Sequence, residues 1–270
     1  LHWQPNSIFS SSVKFGEIRI WAGETEATTP LVLSGEIGHA TNVYPPSTLD
    51  AFAAAGINTV AIPRGYGPAL LFQHDVAPWN IKEVRQATAL VINREENAFL
   101  TNGLGATATV YMSGLADSMV PFFLNQDVID KLDHYDFNPD RAAELLTSIG
   151  YAKNADGKWA DKDGNVIKGE FKFPAEFNDF AGMALNATEQ MNNFGFDITA
   201  RAIPWQQCAD DIRNGAFELS VWSWSSGSPF AASQFYGPIQ RFNYVGLTQG
   251  QKGMNFPMQF EWNGQQVDLN

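Results

Sequence analysis

A chain of 270 residues suffices for one large domain or two small ones, and 44% hydrophobic against 17% charged residues excludes disorder over most of its length. Seventeen Lys and Arg against 29 Asp and Glu leave a net charge of −12, a field that repels phosphate backbones and anionic lipid, so no nucleic-acid partner is expected. No apolar run approaches the roughly 18–20 residues that span a bilayer, and the single cysteine, Cys208, excludes an internal disulfide framework and a multi-cysteine metal site.

The chain opens on LHWQPNS, without an initiator Met or the basic-then-apolar layout of a signal peptide, and reads as a mature protein or a fragment. VKFGEIRIWAG is extended, with Val13, Phe15, Ile18 and Ile20 breaking strict alternation around Gly16. The next stretch predicts a short helix closed by Ser34-Gly35. STLDAFAAAGI predicts a second, with Ser47 as N-cap and Gly56 as terminator. NTVAIPRGYGPALLFQ reads as two short strands around a Gly/Pro turn.

From Asn80 onward, Ile81, Val84, Leu90, Val91 and Phe99 mark one amphipathic helix. Residues 101–136 are rich in Gly, Ser, Asp and Pro and predict an irregular surface excursion. FNPDRAAELLTSIGY is a compact helix capped by Asn138, with Pro139 in the first turn and Gly150 as its stop. Asp163-Gly164 then signals a hairpin. The same stretch imitates a calcium loop, but Trp159 stands where the first Asp is needed, so the hairpin reading is preferred.

The most regular part alternates strand and helix: EFKF, NDFAGMALNATEQMNNFG, FDITARAI, WQQCADDIRNG and FELSVWSW. Right-handed crossovers onto one sheet follow, hence an α/β layer architecture. Ligands of such sheets sit at the carboxyl ends of strands, which directs attention to the end of FELSVWSW. The tail predicts a hairpin on Asn263-Gly264, with Phe260 opposite Val267 and Met258 opposite Leu269.

Enzyme chemistry has no visible constellation. His2, His39, His74 and His134 lack any metal-ligand spacing, and no GxSxG elbow, Walker loop or GxGxxG is present. Cys208 reads as a buried structural thiol, and Glu95-Glu96 and Asp210-Asp211 as solvated charge on helix faces. No cofactor, metal or catalytic residue is expected. VWSWSSGSPF is the distinctive segment: Trp222 and Trp224 alternate on a strand, followed by a turn of small residues. Flat rings beside hydroxyls and exposed backbone N–H groups suit neutral polar ligands with apolar faces, and two core tryptophans before an ordinary turn are the competing reading. The candidate ligand-binding residues are Trp222, Trp224, Ser225, Ser226, Gly227, Ser228 and Phe230.

Three segments, in order, resemble one family. EIRIWAGETEATTPLVLSGEIG, PWNIKEVRQATALVINREE (with Val84, Arg85, Gln86, Ala87, Arg94 and Glu95 matching) and YDFNPDRAAELLTSIGY-KNADGKW are similar to the family 5 extracellular solute-binding proteins, receptors for peptides, nickel or oligosaccharides that feed bacterial ABC importers. The resemblance runs from about residue 14 to 230 and covers only the second lobe of a two-lobe receptor. It implies a periplasmic-binding-protein type II-like lobe with a mixed sheet flanked by helices, spanning residues 1–270 as a single ligand-binding lobe. Its implied partners are a small oligomeric solute, peptide or sugar, the first lobe of the same receptor and an ABC permease in the membrane. The implied location is extracytoplasmic, periplasmic or as a cell-surface lipoprotein.

Departures from the family pattern bear on the ligand. Trp224 and Pro229 match the Trp and Pro of "W-x-A-D-Y-P", but Gly227 replaces the Asp that pairs with a peptide's α-amino group and Ser228 replaces the Tyr. Gly38 replaces the Asp of "SGE-I-D". Loss of the carboxylate weakens a free-oligopeptide expectation and raises an oligosaccharide one, and the lack of a His cluster disfavours nickel. A carbohydrate-active enzyme using the same aromatic groove is the alternative from another class, and a pure protein-interaction lobe is a third.

Overall fold

The computed structural model describes residues 14, 16–60, 67–102, 106–224, 230–235, 243, 250–262 and 264–268. The chain divides into two compact units, residues 1–59 and residues 60–270. In the first, residues 17–24 carry no strand, so the extended stretch pairs with nothing there. Helix α1 (Thr25–Leu33) stops at Gly35, whose φ of +77° suits a residue without Cβ, as predicted. Helix α2 (Pro46–Ala54) starts two residues earlier than expected. Pro46 takes the first helical position and Pro45 the cap, so Ser47 lies inside the first turn and caps nothing. Phe52 is buried, with the Tyr44 ring edge-on to it at 4.9 Å.

The second unit is organised on a four-stranded sheet. Strand β1 (Pro68–Phe72) is the one strand described where two were expected; residues 61–66 lie outside the described residues. The long amphipathic helix is two: α3 (Lys82–Val91) and α4 (Arg94–Asn102). Ile92 turns extended (φ −96°, ψ 109°), and the Asn93 side-chain oxygen Oδ1 accepts the Glu96 N–H, so a capping side chain restarts the helix inside an unbroken apolar pattern. The 101–136 excursion is mostly irregular, with a 3₁₀ turn at Asp117–Met119 and two four-residue helices, α5 (Val120–Phe123) and α6 (Gln126–Ile129). Helix α7 (Pro139–Ser148) carries the expected Asn138 cap, whose side chain accepts from the Arg141 N–H.

Strands β2 (Ala152–Lys153) and β3 (Trp159–Ala160) form a small ladder, and Ala160 bridges Val166 across the Asp163-Gly164 turn. Strand β4 (Lys168–Pro174), helix α8 (Asn178–Phe194), strand β5 (Asp197–Ile203), helix α9 (Trp205–Asn214) and strand β6 (Leu219–Ser223) follow as read from the sequence. The sheet order is β1-β6-β4-β5, with β4 parallel to β5 and β6, and β1 antiparallel to β6. Beyond it lie a short helix α10 (Ala231–Phe235) and the hairpin of β7 (Gln259–Trp262) and β8 (Gln265–Asp268). Phe260 faces Val267 in that hairpin as expected; Leu269 lies outside the described residues.

Because the chain steps from β4 outward to β5 and back past β4 to β6, two right-handed crossovers put α8 and α9 on opposite faces. The core is accordingly double. On the α8 side, Leu219, Val221, Phe171, Phe173 and Ile198 pack with α3, α7 and α8. On the α9 side, Leu71, Ile203 and Trp222 pack with Cys208, Ala209 and Ile212. Alternation along β6 sends Val221 one way and Trp222 the other.

Candidate solute-binding surface

The carboxyl ends of β4, β5 and β6 lie together, as parallel pairing requires, and they carry aromatic rings. Trp222 is buried on the α9 side, with Phe177 at 6.2 Å and Phe180 at 6.3 Å. Phe177 in turn stacks on Trp205 at 6.2 Å and 20°, and Trp205, the first residue of α9, stays 40% exposed. Glu176 fixes that corner by accepting the Trp205 backbone N–H. The sequence reading passed over Trp205, although Pro204-Trp205 directly after β5 puts a ring at a strand's carboxyl end by the same logic that selected Trp224.

Trp224 has a different setting. Its backbone N–H donates to Gly67 O and its indole Nε1 to Gly114 O at 2.7 Å, so a residue of the 101–136 excursion orients the ring. One side of this assembly opens on a cavity of about 400 Å³. Leu70, Leu71, Phe72 and His74 form its floor, so it follows the outer strand of the sheet instead of sitting only at the end of β6. Met112, Ser113 and Gly114 form a second wall, Trp224 one end, and Met254 with Phe256 the other.

The described lining holds no Asp, Glu, Lys or Arg. Its one titratable side chain is His74, whose pKa is lowered from 6.5 to about 4, first by burial and then by the positive charge of Arg85. The His74 N–H donates to Met254 O and its ring lies 5.9 Å from Phe256, which ties the far wall to β1. The described lining is therefore electrically neutral at pH 7.

Of the candidate residues read from the sequence, Trp222 sits in the α9-side core and Trp224 lines the cavity. Phe230 is 72% exposed, and Ser225, Ser226, Gly227 and Ser228 lie outside the described residues. The residues that carried the family resemblance do structural work. Arg85 donates to Trp79 O, and Gln86 to the Tyr135 hydroxyl. Arg94 donates to the carbonyls of Thr109, His134 and Tyr135, clamping both ends of the excursion to the start of α4. The signature thus ties residues 109 and 134–135, on either side of the 112–114 wall in the chain, to α4. Cys208 is buried, its thiol 3.5 Å from Ser220 Oγ and its pKa raised chiefly by burial. Among the described residues, no three His, Cys, Asp or Glu side chains group to hold a metal ion, and no helix is long and apolar enough to cross a membrane.

Comparison with known proteins bears on the whole chain. A probable ABC transporter-binding protein of Deinococcus radiodurans is 29% identical over 130 residues, which is 47% of this chain and 20% of that protein. The mannohexaose-bound periplasmic oligopeptide-binding protein of an oligopeptide ABC transporter from Thermotoga maritima superposes with a TM-score of 0.67 at 20% identity, over 79% of this chain and 41% of that one. The oligopeptide-binding protein AppA from Bacillus subtilis, in complex with a nonapeptide, gives 0.63 at 20% identity, over 86% and 43%. The chain thus spans less than half the length of these relatives, and they show its fold to be the α/β, type II periplasmic-binding-protein one. These relatives carry the names of binding proteins, one of an ABC transporter and two of oligopeptides. The pattern of the bacterial extracellular solute-binding proteins, family 5 Middle, matches residues 4–242, and the chain belongs to that family.

Proposed function

We propose that the chain is a ligand-binding lobe of an extracytoplasmic receptor that collects a small oligomeric solute, peptide or sugar, and delivers it to an ABC permease. The observation that carries this reading is Trp224, held by its bond to Gly114 O at the mouth of a neutral cavity, in a chain of this family. The chemistry is non-covalent. A first lobe of the same receptor closes over the solute by hinge motion, and release to the permease reverses the closure. A glycan-active hydrolase needs two carboxylates roughly 5–10 Å apart across its cleft, and the described cavity lining contributes none.

As one wall of a two-walled cleft, the chain alone leaves much of a solute in water, so its dissociation constant is on the order of a millimolar. Titration of the 270-residue chain with pools of peptides and oligosaccharides, followed by the Trp224 indole N–H signal in NMR and, for comparison with Trp224→Ala, by backbone amide signals present in both chains, tests this. The expected result is a saturable shift at millimolar solute and at least tenfold weaker binding by Trp224→Ala. Absence of any shift, or undiminished binding by the variant, overturns it.

A further inference from the structure

We propose that the cavity along β1 is a subsite for an apolar side chain of the solute, which makes the solute a peptide bearing aliphatic or aromatic residues and not an oligosaccharide. This rests on the reading above that the solute meets Trp224, and goes beyond it by naming the chemistry. The first argument is the lining. Leu71 and Leu70 form the floor, and Met112 and Met254 stand on different walls, where unbranched thioethers adapt to side chains of varied shape. The second is the state of its polar groups. The Trp224 indole N–H is committed to Gly114 O, which leaves the Ser113 hydroxyl, already accepting the Leu115 N–H, and the uncharged His74 imidazole, its pKa lowered to about 4 by burial and Arg85, as the two side chains of the described lining able to bond a hydroxyl.

A sugar presents several hydroxyls per ring, and each one stripped of water here without a new partner weakens binding by roughly tenfold or more. A leucine or phenylalanine side chain leaving water for the same space gains roughly tenfold or more. The two effects have opposite signs, and a lining that is mostly apolar, with two polar side chains to meet several hydroxyls, decides between them in favour of the peptide. Size agrees: about 400 Å³ exceeds the roughly 150 Å³ in which a benzene-sized group fits. The absence of charged groups from the described lining also argues against an acidic or basic side chain at this subsite.

The test uses the full chain with ¹³C-methyl methionine and ¹⁵N-indole tryptophan, titrated with tri-leucine, tri-glycine and mannotriose. Tri-leucine is expected to move the Met112 and Met254 methyls together with the Trp224 indole, to leave the core Met191 methyl in place, and to bind at least tenfold more tightly than tri-glycine. Met112→Lys, at a position 42% exposed, is expected to abolish that preference while the Met191 methyl and Trp79 indole signals report an intact fold. Equal binding of tri-leucine and tri-glycine, a preference for mannotriose, or a preference that survives Met112→Lys overturns the inference. In those cases a moving Trp224 indole leaves the solute-binding reading standing. If no probe moves the Trp224 indole, both fall.

Discussion

Under α8 the sheet is filled, whereas along β1 similar side chains leave a cavity. Phe171, Leu219 and Met191 are each no more than 2% exposed in the α8-side core, while Leu70, Met112 and Phe256 border about 400 Å³ of open volume. The covering elements explain the difference. Helix α8 presents Ala184 and Ala187 to the sheet, and its regular spacing lets side chains from both layers interdigitate. The other borders of that cavity are irregular backbone, around Met112, at φ +47°, and in the 254–256 segment. Backbone and indole hydrogen bonds, not packed side chains, set their distance: Trp224 to Gly114 at one end and His74 to Met254 at the other. The same composition gives core where a helix can settle onto it and open volume where hydrogen bonds hold the walls apart.

Substitutions at the two regions put that contrast at risk. Phe171→Ala is expected to cost about 3–5 kcal/mol, measured by denaturant unfolding, because a filled core cannot collapse into the void. Trp222→Ala is expected in the same range, and Trp224→Ala near 1–2 kcal/mol, since it loses chiefly one hydrogen bond and partial burial. Equal losses for the two tryptophans would return Trp224 to the core and erase the distinction.

Gly215 ends α9 beside the segment that leads to Met254. Its φ is +70°, and an added Cβ would lie 2.7 Å from Lys252 Cβ and 2.8 Å from Gln73 Nε2. Gln73 is itself buried and donates to Gly253 O at 2.8 Å. Gly215→Ala is therefore expected to cost about 1–3 kcal/mol and to shift the Met254 methyl, because the 253–254 segment must move. An unshifted Met254 would show that the far wall is not anchored there.

The effect that vanishes at neutral pH is titration of His74. Its folded-state pKa of about 4 lies below the unfolded value of 6.5, so the unfolded chain binds the extra proton first and stability falls as the pH drops from about 6.5 to 4. His74→Gln is expected to flatten the fall of Tm across that window by comparison with the native chain. An unchanged slope would mean that the imidazole is not held neutral against the cavity.

Much of the architecture was legible before any coordinates. The strand–helix alternation from β4 to β6, the Asn138 cap, the glycine stops and the register of the β7–β8 hairpin all came out as read. Two errors share a cause. The helix break at Asn93 and the shift from Ser47 to Pro45 turn on one or two residues at a cap, inside runs whose apolar period continues or starts elsewhere. Trp205 lacks the turn of small residues that follows Trp224, so only its partial exposure beside Phe177 distinguishes it from a core ring.

The sequence by itself determined what depends on near neighbours: period, caps, turns, the α/β class and, through the Val84–Glu95 and Tyr135–Trp159 segments, the family. Only the tertiary structure decided the fates of Trp222 and Trp224, which strand alternation treats alike. Trp222 meets Phe177 and Phe180 and becomes core, whereas Trp224 meets a carbonyl 110 residues away and becomes a wall. That carbonyl is in place because Arg94 reaches to Thr109 and Tyr135 across the excursion. A residue's role as floor, wall or filling depends on partners distant in sequence, and no local pattern encodes them.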